Sequence, residues 1–290
     1  MRKGIVVVIS ILILLVFSSC GIDKDKIVGD ILLSHNLDMY TNTDYYMLMY
    51  SISNNKIKKI ENGNYLDLCG IEFNKDKTKI LGVKSADNRK VKSPFIFEYD
   101  IKEATFIKVV EYAELTKGSG GGLQYVPNSN SISYTADNKV YIYDREKTTN
   151  SALVDIAFDK YDWDKTGSKI LYGDRDDNIY IYDLTNKTST KILEGRYPVY
   201  SNNNKYIAYQ GKDYKLTVYD IDTKKECKSI SLSGNQKYIF SPDDKFIALA
   251  TQYSDISNNP HFEMFVVDYK DNEQKRLFKG DGGIPAFDWK

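Results

Sequence analysis

Short apolar segments alternate with polar turns along most of this chain. At residues 179–182 the order Ile-Tyr-Ile-Tyr alternates strictly, and similar segments recur at intervals. A two-residue period is typical of β-strands that bury one face. No segment beyond the N-terminal apolar run has the 3.6-residue period of an amphipathic helix. The pattern therefore predicts an all-β protein.

A unit of about 40 residues repeats along the chain. In each copy an apolar or aromatic residue precedes a polar turn, and a short apolar strand follows. The anchoring residues of these strands are 52, 38, 37 and 40 positions apart: Ile80, Ile132, Ile170, Ile207 and Ile247. A further strand follows each of them and ends in aspartate, as in VYIYD at 140–144. Units of this length with four short strands are the sequence signature of a β-propeller.

The two ends of the repeat region complement each other. Residues 28–62 contain three predicted strands and lack an innermost one, whereas the chain closes with Phe-Asp-Trp at 287–289, which matches Tyr-Asp-Trp at 161–163. Pairing of the two ends within one blade leaves no sheet edge open for association with other chains. We therefore predict a six-bladed β-propeller of four-stranded antiparallel blades over residues 28–290, closed by the C-terminal strand joining the N-terminal blade.

Two copies of the repeat resemble a known motif. The segments FSPDDKFIA at 240–248 and WDKTGSKIL at 163–171 are similar to the W/F-S-P-D-G-K-x-I-A motif of TolB-type, WD40-like propeller repeats. The resemblance covers roughly residues 28–290, and the other copies are more degenerate. It implies the same fold and a rigid ring that presents loops and a polar channel. It names no partner, because one fold serves many functions.

The N-terminus resembles a bacterial lipoprotein signal. Arg2 and Lys3 precede a run of thirteen residues, 5–17, that is apolar except for Ser10. This run is too short for a membrane span of ~20 residues and fits a secretory signal of ~7–15. Two serines then precede Cys20, as in the lipobox, although residue 17 is Phe where that motif usually has Leu. The resemblance implies a signal peptide at 1–19, an acylated Cys20, a short linker at 20–27, and a lipid anchor in the cell membrane on its extracytoplasmic face; an uncleaved anchor or a plain signal peptide is the alternative.

Charge and residue counts narrow the functions. Without residues 1–19, 38 basic residues (40 − 2) remain against 40 acidic ones, a net charge of −2. This balance gives no attraction for nucleic acid. His35 and His261 are the only histidines, which argues against a multi-histidine metal centre, and we expect no metal and no other cofactor. Cys69 and Cys227 fall on opposite blades, too far apart for a disulfide, which needs Cα atoms within ~7 Å.

The acidic run at 174–177 has two interpretations. Asp174, Asp176 and Asp177 resemble part of a calcium-binding loop, but the glycine and the later glutamate of such a loop are missing. Aspartate and asparagine are also common in tight turns, where they hydrogen-bond their own backbone. Equally polar turns stand at the corresponding positions of other repeats, so a hairpin turn is favoured over a metal site.

Loop lengths suggest where a partner binds. The connections between the second and third strands are long in blade 1 (36–45), blade 2 (84–94) and blade 6 (252–262), which are consecutive in a closed ring. Loops on a rigid scaffold often carry binding residues, and Tyr and Arg are favoured interface anchors. Long loops are also tolerated as mere insertions. The candidate binding residues in this sector are Tyr40, Tyr45, Arg89, Lys90, Lys92, Tyr253 and His261.

Two classes of function remain open. The first is a monomeric binding module for an envelope protein or peptide, without enzymatic activity. The second is a hydrolase or lyase on envelope carbohydrate or peptide that uses carboxylates in the central channel, with Glu72, Asp162 and Asp288 as candidates. The chain has no G-x-S-x-G motif, so it lacks the nucleophile elbow of α/β-hydrolases. The sequence favours the binding module.

Overall fold

The propeller predicted from the repeats is confirmed by the structure. A computed structural model describes residues 22–36, 45–63, 70–84, 95–111, 122–156, 160–231, 236–284 and 287–290. In these ranges, twenty-four strands form six four-stranded antiparallel sheets. A short 3₁₀ helix, Lys24–Lys26, precedes the first strand, and the described ranges contain no helix long and apolar enough to cross a membrane.

The strands of each blade run from the channel outwards. Blade 1 consists of β24 (Phe287–Trp289), β1 (Asp30–Asn36), β2 (Tyr45–Ser51) and β3 (Lys56–Gly63). Blade 2 consists of β4 (Ile71–Phe73), β5 (Lys79–Lys84), β6 (Phe95–Asp100) and β7 (Thr105–Glu111), and blade 3 of β8 (Gln124–Tyr125), β9 (Ile132–Ala136), β10 (Lys139–Asp144) and β11 (Thr149–Asp155).

The remaining three blades follow the same order. Blade 4 consists of β12 (Tyr161–Trp163), β13 (Lys169–Gly173), β14 (Asn178–Asp183) and β15 (Thr188–Glu194). Blade 5 consists of β16 (Arg196–Tyr200), β17 (Tyr206–Gln210), β18 (Lys215–Asp220) and β19 (Lys225–Ser231), and blade 6 of β20 (Gln236–Phe240), β21 (Phe246–Ser254), β22 (Pro260–Asp268) and β23 (Glu273–Asp281).

The C-terminal strand closes the ring as predicted. β24 pairs antiparallel with β1, and Trp289 lies opposite Ile31. The Trp289 side chain is 1% exposed, and its indole N–H donates to the carbonyl of Val28 at 2.9 Å. Backbone bonds between Asp30 and Lys290 extend the pairing. A three-residue strand thus supplies the innermost position of blade 1.

The hydrophobic core lies between successive blades. One cluster joins Leu32 and Met47 of blade 1 to Phe73 and Phe97 of blade 2. Successive residues of a strand point to opposite faces of its sheet, and one face of each blade packs against the next blade. The two-residue period of the sequence matches this packing. The largest cluster lies between blades 6 and 1 and includes Trp289. This cluster therefore brings the first described residues of the chain, Ile22 and Ile27, together with Trp289 of the last strand.

The connections between strands divide the ring into two faces. We define the front face as the face that carries two turns of each blade, the one between the first and second strands and the one between the third and fourth strands. The back face carries the second-to-third turns. The acidic run belongs to the back face, because Asp174–Asp177 connects β13 to β14. Asp174 accepts hydrogen bonds from the amides of Asp176 (2.9 Å) and Asn178 (2.8 Å), which is the geometry of a self-capped hairpin turn.

The described part of the predicted linker packs on the propeller. Ile22 and Ile27 are buried in the cluster between blades 6 and 1. Lys275 donates to the carbonyl of Ile22 at 2.8 Å. Lys24 donates to Asn55 in the third-to-fourth turn of blade 1. The chain therefore enters the ring beside the front-face turns of blades 1 and 6.

Of the three cysteines, only Cys227 lies among the described residues. Cys227 lies on β19 and is a free, exposed thiol. Cys69, and Cys20 with the whole predicted signal peptide, lie outside the described residues. The prediction that Cys20 is acylated stays a prediction.

Candidate functional site

One position on the innermost strands is equivalent in every blade, and in five of the six blades its residue lines the central cavity. It is the residue just before the last aromatic residue of the strand. Four blades place a polar side chain there and two place an apolar one. In blade order these residues are Asp288, Glu72, Gln124, Asp162, Val199 and Ile239.

Each polar residue at this position reaches the next blade. The Asp288 carboxylate accepts the amide of Phe73 at 2.9 Å, and the Asp162 carboxylate accepts the amide of Tyr200 at 2.7 Å. Glu72 accepts the amide of Tyr125 at 2.5 Å. Gln124 donates to the carbonyl of Tyr161 at 2.8 Å. The channel side chains therefore join blades 1 to 5 in sequence.

Asp162 and Asp288 each accept a hydrogen bond from a second backbone amide. Asp162 also accepts from the amide of Trp163 at 2.9 Å, and Asp288 from that of Trp289 at 2.8 Å. Both oxygens of each carboxylate thus point at backbone donors. Burial is the main cause that raises the pKa of Asp162 to about 7, although these amides oppose the shift.

Lys290 places a cation among the channel carboxylates. Its ammonium group is 3.4 Å from Glu72 and interacts electrostatically with Asp288 and Asp162. The field of Asp288, followed by that of Glu72, raises the pKa of Lys290 although burial opposes it. Burial raises the pKa of Glu72, and Lys290 counteracts part of that shift. Lys290 therefore balances part of the negative charge in the channel.

A second polar cluster lies where blades 2 and 3 meet. Glu98 on β6 is 2% exposed and accepts two hydrogen bonds from Arg145, at 2.8 and 3.1 Å. Lys79 contacts it at 3.3 Å, and the Tyr125 hydroxyl donates to it at 3.1 Å. Burial acts most strongly on this carboxyl group and raises its pKa. Arg145 and Lys79 together outweigh that effect and hold the pKa of Glu98 below its ordinary value.

Both groups of charges line one central cavity of about 970 Å³. Its walls combine the channel carboxylates and the Glu98 cluster with Ile239 of blade 6. Its mouth is formed by front-face turns, including Asn74, Lys75, Asn128, Lys165 and Asn202. A cavity of this size is large enough for a small molecule or a peptide segment.

The carboxylates of the cavity are structural ligands of the backbone. General acid–base catalysis needs a carboxyl group within reach of a substrate proton. The channel acids instead bind amides of neighbouring strands, and Glu98 is covered by two cations. These contacts make the carboxylates part of a rigid polar lining of the cavity. Among the described residues no cluster of three His, Cys, Asp or Glu side chains has a geometry that could hold a metal ion.

Blade 6 carries a projecting hairpin on the back face. β21, β22 and β23 have nine residues each, whereas most other strands have seven or fewer. The five-residue tip, 255–259, stands beyond the register pair of Tyr253 and His261. Their rings stack with centroids 5.5 Å apart. Tyr253 is 45% exposed, and Ile256 at the tip is fully exposed.

The structure places three of the seven predicted binding residues. Tyr253 and His261 lie on paired strands, so the predicted blade 6 loop of 252–262 is mostly an extension of β21 and β22. Tyr45 is the first residue of β2. The remaining four, Tyr40, Arg89, Lys90 and Lys92, lie outside the described residues. The structure brings together two of the seven, on one hairpin.

The Glu98 cluster was missed, although the sequence contains a signal for it. Glu98 stands two residues before the terminal aspartate of its strand, at a position that the next four repeats fill with Ile142, Ile181, Val218 and Val266. A charged residue at a position that is apolar in the other repeats is expected to be buried, and a buried charge needs a partner. Its main partner, Arg145, follows the terminal aspartate of the next repeat.

Comparisons with known proteins match the fold and leave the family open. No protein-family model and no curated protein matches the sequence. Among solved structures, TolB from Acinetobacter baumannii is similar with a TM-score of 0.67 and 17% identity over 90% of this chain and 66% of TolB. A chain in a nidogen/laminin complex is similar with a TM-score of 0.60 and 9% identity over 87% of this chain and 93% of the other.

Identities this low concern the fold alone, and this chain spans 66% of the TolB chain that it matches. The order of strands, the ring closure and the repeat motif agree with that similarity. This chain is a six-bladed β-propeller of the TolB-like fold.

Proposed function

We propose that this protein is a lipid-anchored binding module that docks an envelope protein or peptide on its back face. The projecting hairpin of blade 6 is the observation that carries the proposal, because it presents Tyr253 and Ile256 to solvent from a rigid sheet. The loops predicted for blades 1 and 2 belong to the proposal as sequence-based expectations, because these blades follow blade 6 in the ring and residues 37–44 and 85–94 lie outside the described residues.

Rigid presentation favours binding. An exposed aromatic residue on a held backbone loses little conformational freedom when a partner covers it. The tip is held by the Asp255 side chain, which accepts amides of Ser257 (2.8 Å) and Asn259 (2.9 Å). One of the structures with a similar fold comes from a complex between two proteins, nidogen and laminin. Both observations support a role in protein recognition.

The proposed anchor suits this geometry. Cys20 precedes the buried Ile22 by two residues, and two residues span at most about 7 Å. Ile22 lies beside front-face turns, so an acyl chain on Cys20 would hold the front-face edge of blades 1 and 6 near the bilayer. The back face then points away from the membrane, toward other envelope components. Stable attachment needs more than one acyl chain.

Capture of a partner tests the docking surface. We expect the double change Tyr253→Ala and Ile256→Ser to reduce capture from solubilised envelope at least about tenfold, since such residues dominate binding energy where they anchor an interface. The measurement is affinity capture by the full chain followed by quantitative mass spectrometry. Tyr214→Ala is the matched control, because Tyr214 is also exposed on the back face, on blade 5. Equal capture by the wild type and the double variant would remove the basis of the proposal.

The cavity supports a second candidate function, catalysis on an envelope carbohydrate or peptide. The observation in its favour is the raised pKa of Asp162, about 7, in a large cavity, because perturbed carboxyl groups in clefts often mark active sites. We expect a hydrolase to release product from labelled envelope polymer and to lose at least about a hundredfold in rate in Asp162→Asn. Absence of product release with the wild-type protein would exclude this candidate.

A further inference from the structure

A single carboxylate organises the tip of the blade 6 hairpin. Besides the amides of Ser257 and Asn259, Asp255 accepts the side-chain amide of Asn259 at 2.9 Å. Its backbone amide donates to the carbonyl of Asn259 at 3.0 Å. The Asn259 side chain and amide, together with His261, hold the pKa of Asp255 far below its usual range. The position of Ile256 therefore depends on how this carboxylate is oriented.

His261 lies between that carboxylate and a second one. Its Nε2 is 3.3 Å from Asp255, and its Nδ1 is 2.8 Å from Asp281. An ionised carboxylate only accepts hydrogen bonds, so both contacts are hydrogen bonds only while both ring nitrogens carry a proton. In the neutral ring one nitrogen presents a lone pair to a carboxylate oxygen. The geometry thus fits the imidazolium form.

Other charged and titratable groups also lie near His261. Tyr253 stacks on the ring from β21. His35 approaches from β1, donates from Nε2 to the backbone carbonyl of Asp281 at 2.8 Å, and has its pKa lowered by burial. On the same side of the sheet, Glu263 lies opposite Lys279 in register and is paired with Arg276 at 2.8 Å. Within the described ranges, the charged and titratable groups near the ring are Asp255, Asp281, Tyr253, His35, Glu263, Arg276 and Lys279.

We propose that His261 is a proton-controlled lock on the hairpin tip. With both nitrogens protonated, the ring ties Asp255 to Asp281 and fixes the tip against β23. When the ring loses a proton, the shorter contact with Asp281 keeps the remaining proton on Nδ1, and the Nε2 lone pair faces Asp255. The contact with Asp255 then turns repulsive, and the segment 255–259 opens. An imidazole side chain ordinarily changes its charge between about pH 5 and 8, which sets the two pH values of the test below. Its relevance to partner docking rests on the proposed function, whereas the lock itself does not.

Amide hydrogen exchange of the full chain tests the lock without any partner. Protection factors of Ser257 and Asn259, which correct for the intrinsic effect of pH, are measured by NMR at pH 5.5 and pH 8. We expect protection to fall roughly tenfold between the two conditions, since a hydrogen bond to a charged group contributes about that factor. His261→Phe keeps the stacking on Tyr253 and is expected to show the low protection at both pH values.

Two further variants separate the charge from the packing. His261→Lys carries a charge at both pH values and is expected to keep high protection at pH 8. His35→Gln can still donate to Asp281 and is expected to leave the pH response intact. The proposal is overturned if wild-type protection is the same at both pH values, or if His261→Lys loses protection as the wild type does. Unchanged partner capture in the Tyr253 and Ile256 variant would refute the docking surface and leave the lock standing.

Discussion

Replacing Trp289 by alanine is expected to lower the free energy of unfolding by about 3–5 kcal/mol. The indole is 1% exposed, packs in the cluster between blades 6 and 1, and donates to the carbonyl of Val28. The change removes this burial and leaves a cavity at the point where the ring closes. Urea denaturation followed by far-ultraviolet circular dichroism measures the loss.

The equivalent residue of blade 4 provides the control. Trp163 is 5% exposed and its indole donates to Ser133 at 2.7 Å, but its strand is continuous with chain on both sides. Trp163→Ala should cost a similar free energy without opening an edge. Trp289→Ala should in addition weaken the pairing of β24 and expose β1, which promotes association between chains. Light scattering that shows no difference between the two variants would contradict the role of β24 as the closing strand.

Replacing Arg145 by methionine is expected to cost about 3 kcal/mol, because it leaves Glu98 charged and buried with too few partners. Arg145 supplies two of the four polar contacts of that carboxylate, and Lys79 and Tyr125 remain. Methionine keeps much of the apolar stem of arginine, so the change tests the charge more than the packing. Chemical denaturation at pH 7 measures the effect.

The pH dependence should change sign in the same variant. In the wild type the pKa of Glu98 lies below its unfolded value, so its contribution to stability is present above the unfolded pKa of about 4.3 and is lost as the pH falls through the lower folded pKa. Without Arg145, Lys79 is the remaining cation that opposes the effect of burial, so we expect the folded pKa of Glu98 to rise above the unfolded one. This carboxyl group then favours the folded state only while protonated, and stability falls as the pH rises.

An exposed ion pair of similar geometry is the control for Arg145. Arg196 also makes a two-pronged contact with an aspartate, Asp177, but both side chains are more exposed than the Arg145 and Glu98 pair. Arg196→Met is expected to cost about 0–1 kcal/mol, as is usual for surface pairs. Equal losses in the two variants would show that burial of Glu98 does not set the cost.

The repeats made most of the fold predictable. Strand period, repeat length and the aromatic end of each inner strand come from local packing rules that recur in every blade, so the count of six and the pairing of residues 287–289 with blade 1 were both confirmed. The extension of β21 and β22 was not predicted. Residues 252–262 are polar enough to suggest one long loop, and only the cross-strand pairing of 252–254 with 260–262 decides that both ends of this segment are strand and that the loop is the tip at 255–259.

The sequence by itself determined the architecture, because a propeller repeats one local pattern whose partners are always the next strand and the next blade. It identified Glu72, Asp162 and Asp288 as channel acids but left their roles open. Only the tertiary structure decided that these carboxylates bind amides of neighbouring strands, that Lys290 joins them, and that Glu98 pairs with Arg145. These contacts join residues up to 218 positions apart, such as Glu72 and Lys290. The role of a carboxylate depends on the donors that surround it. Here these donors come together only when the ring closes, so no local sequence pattern specifies them.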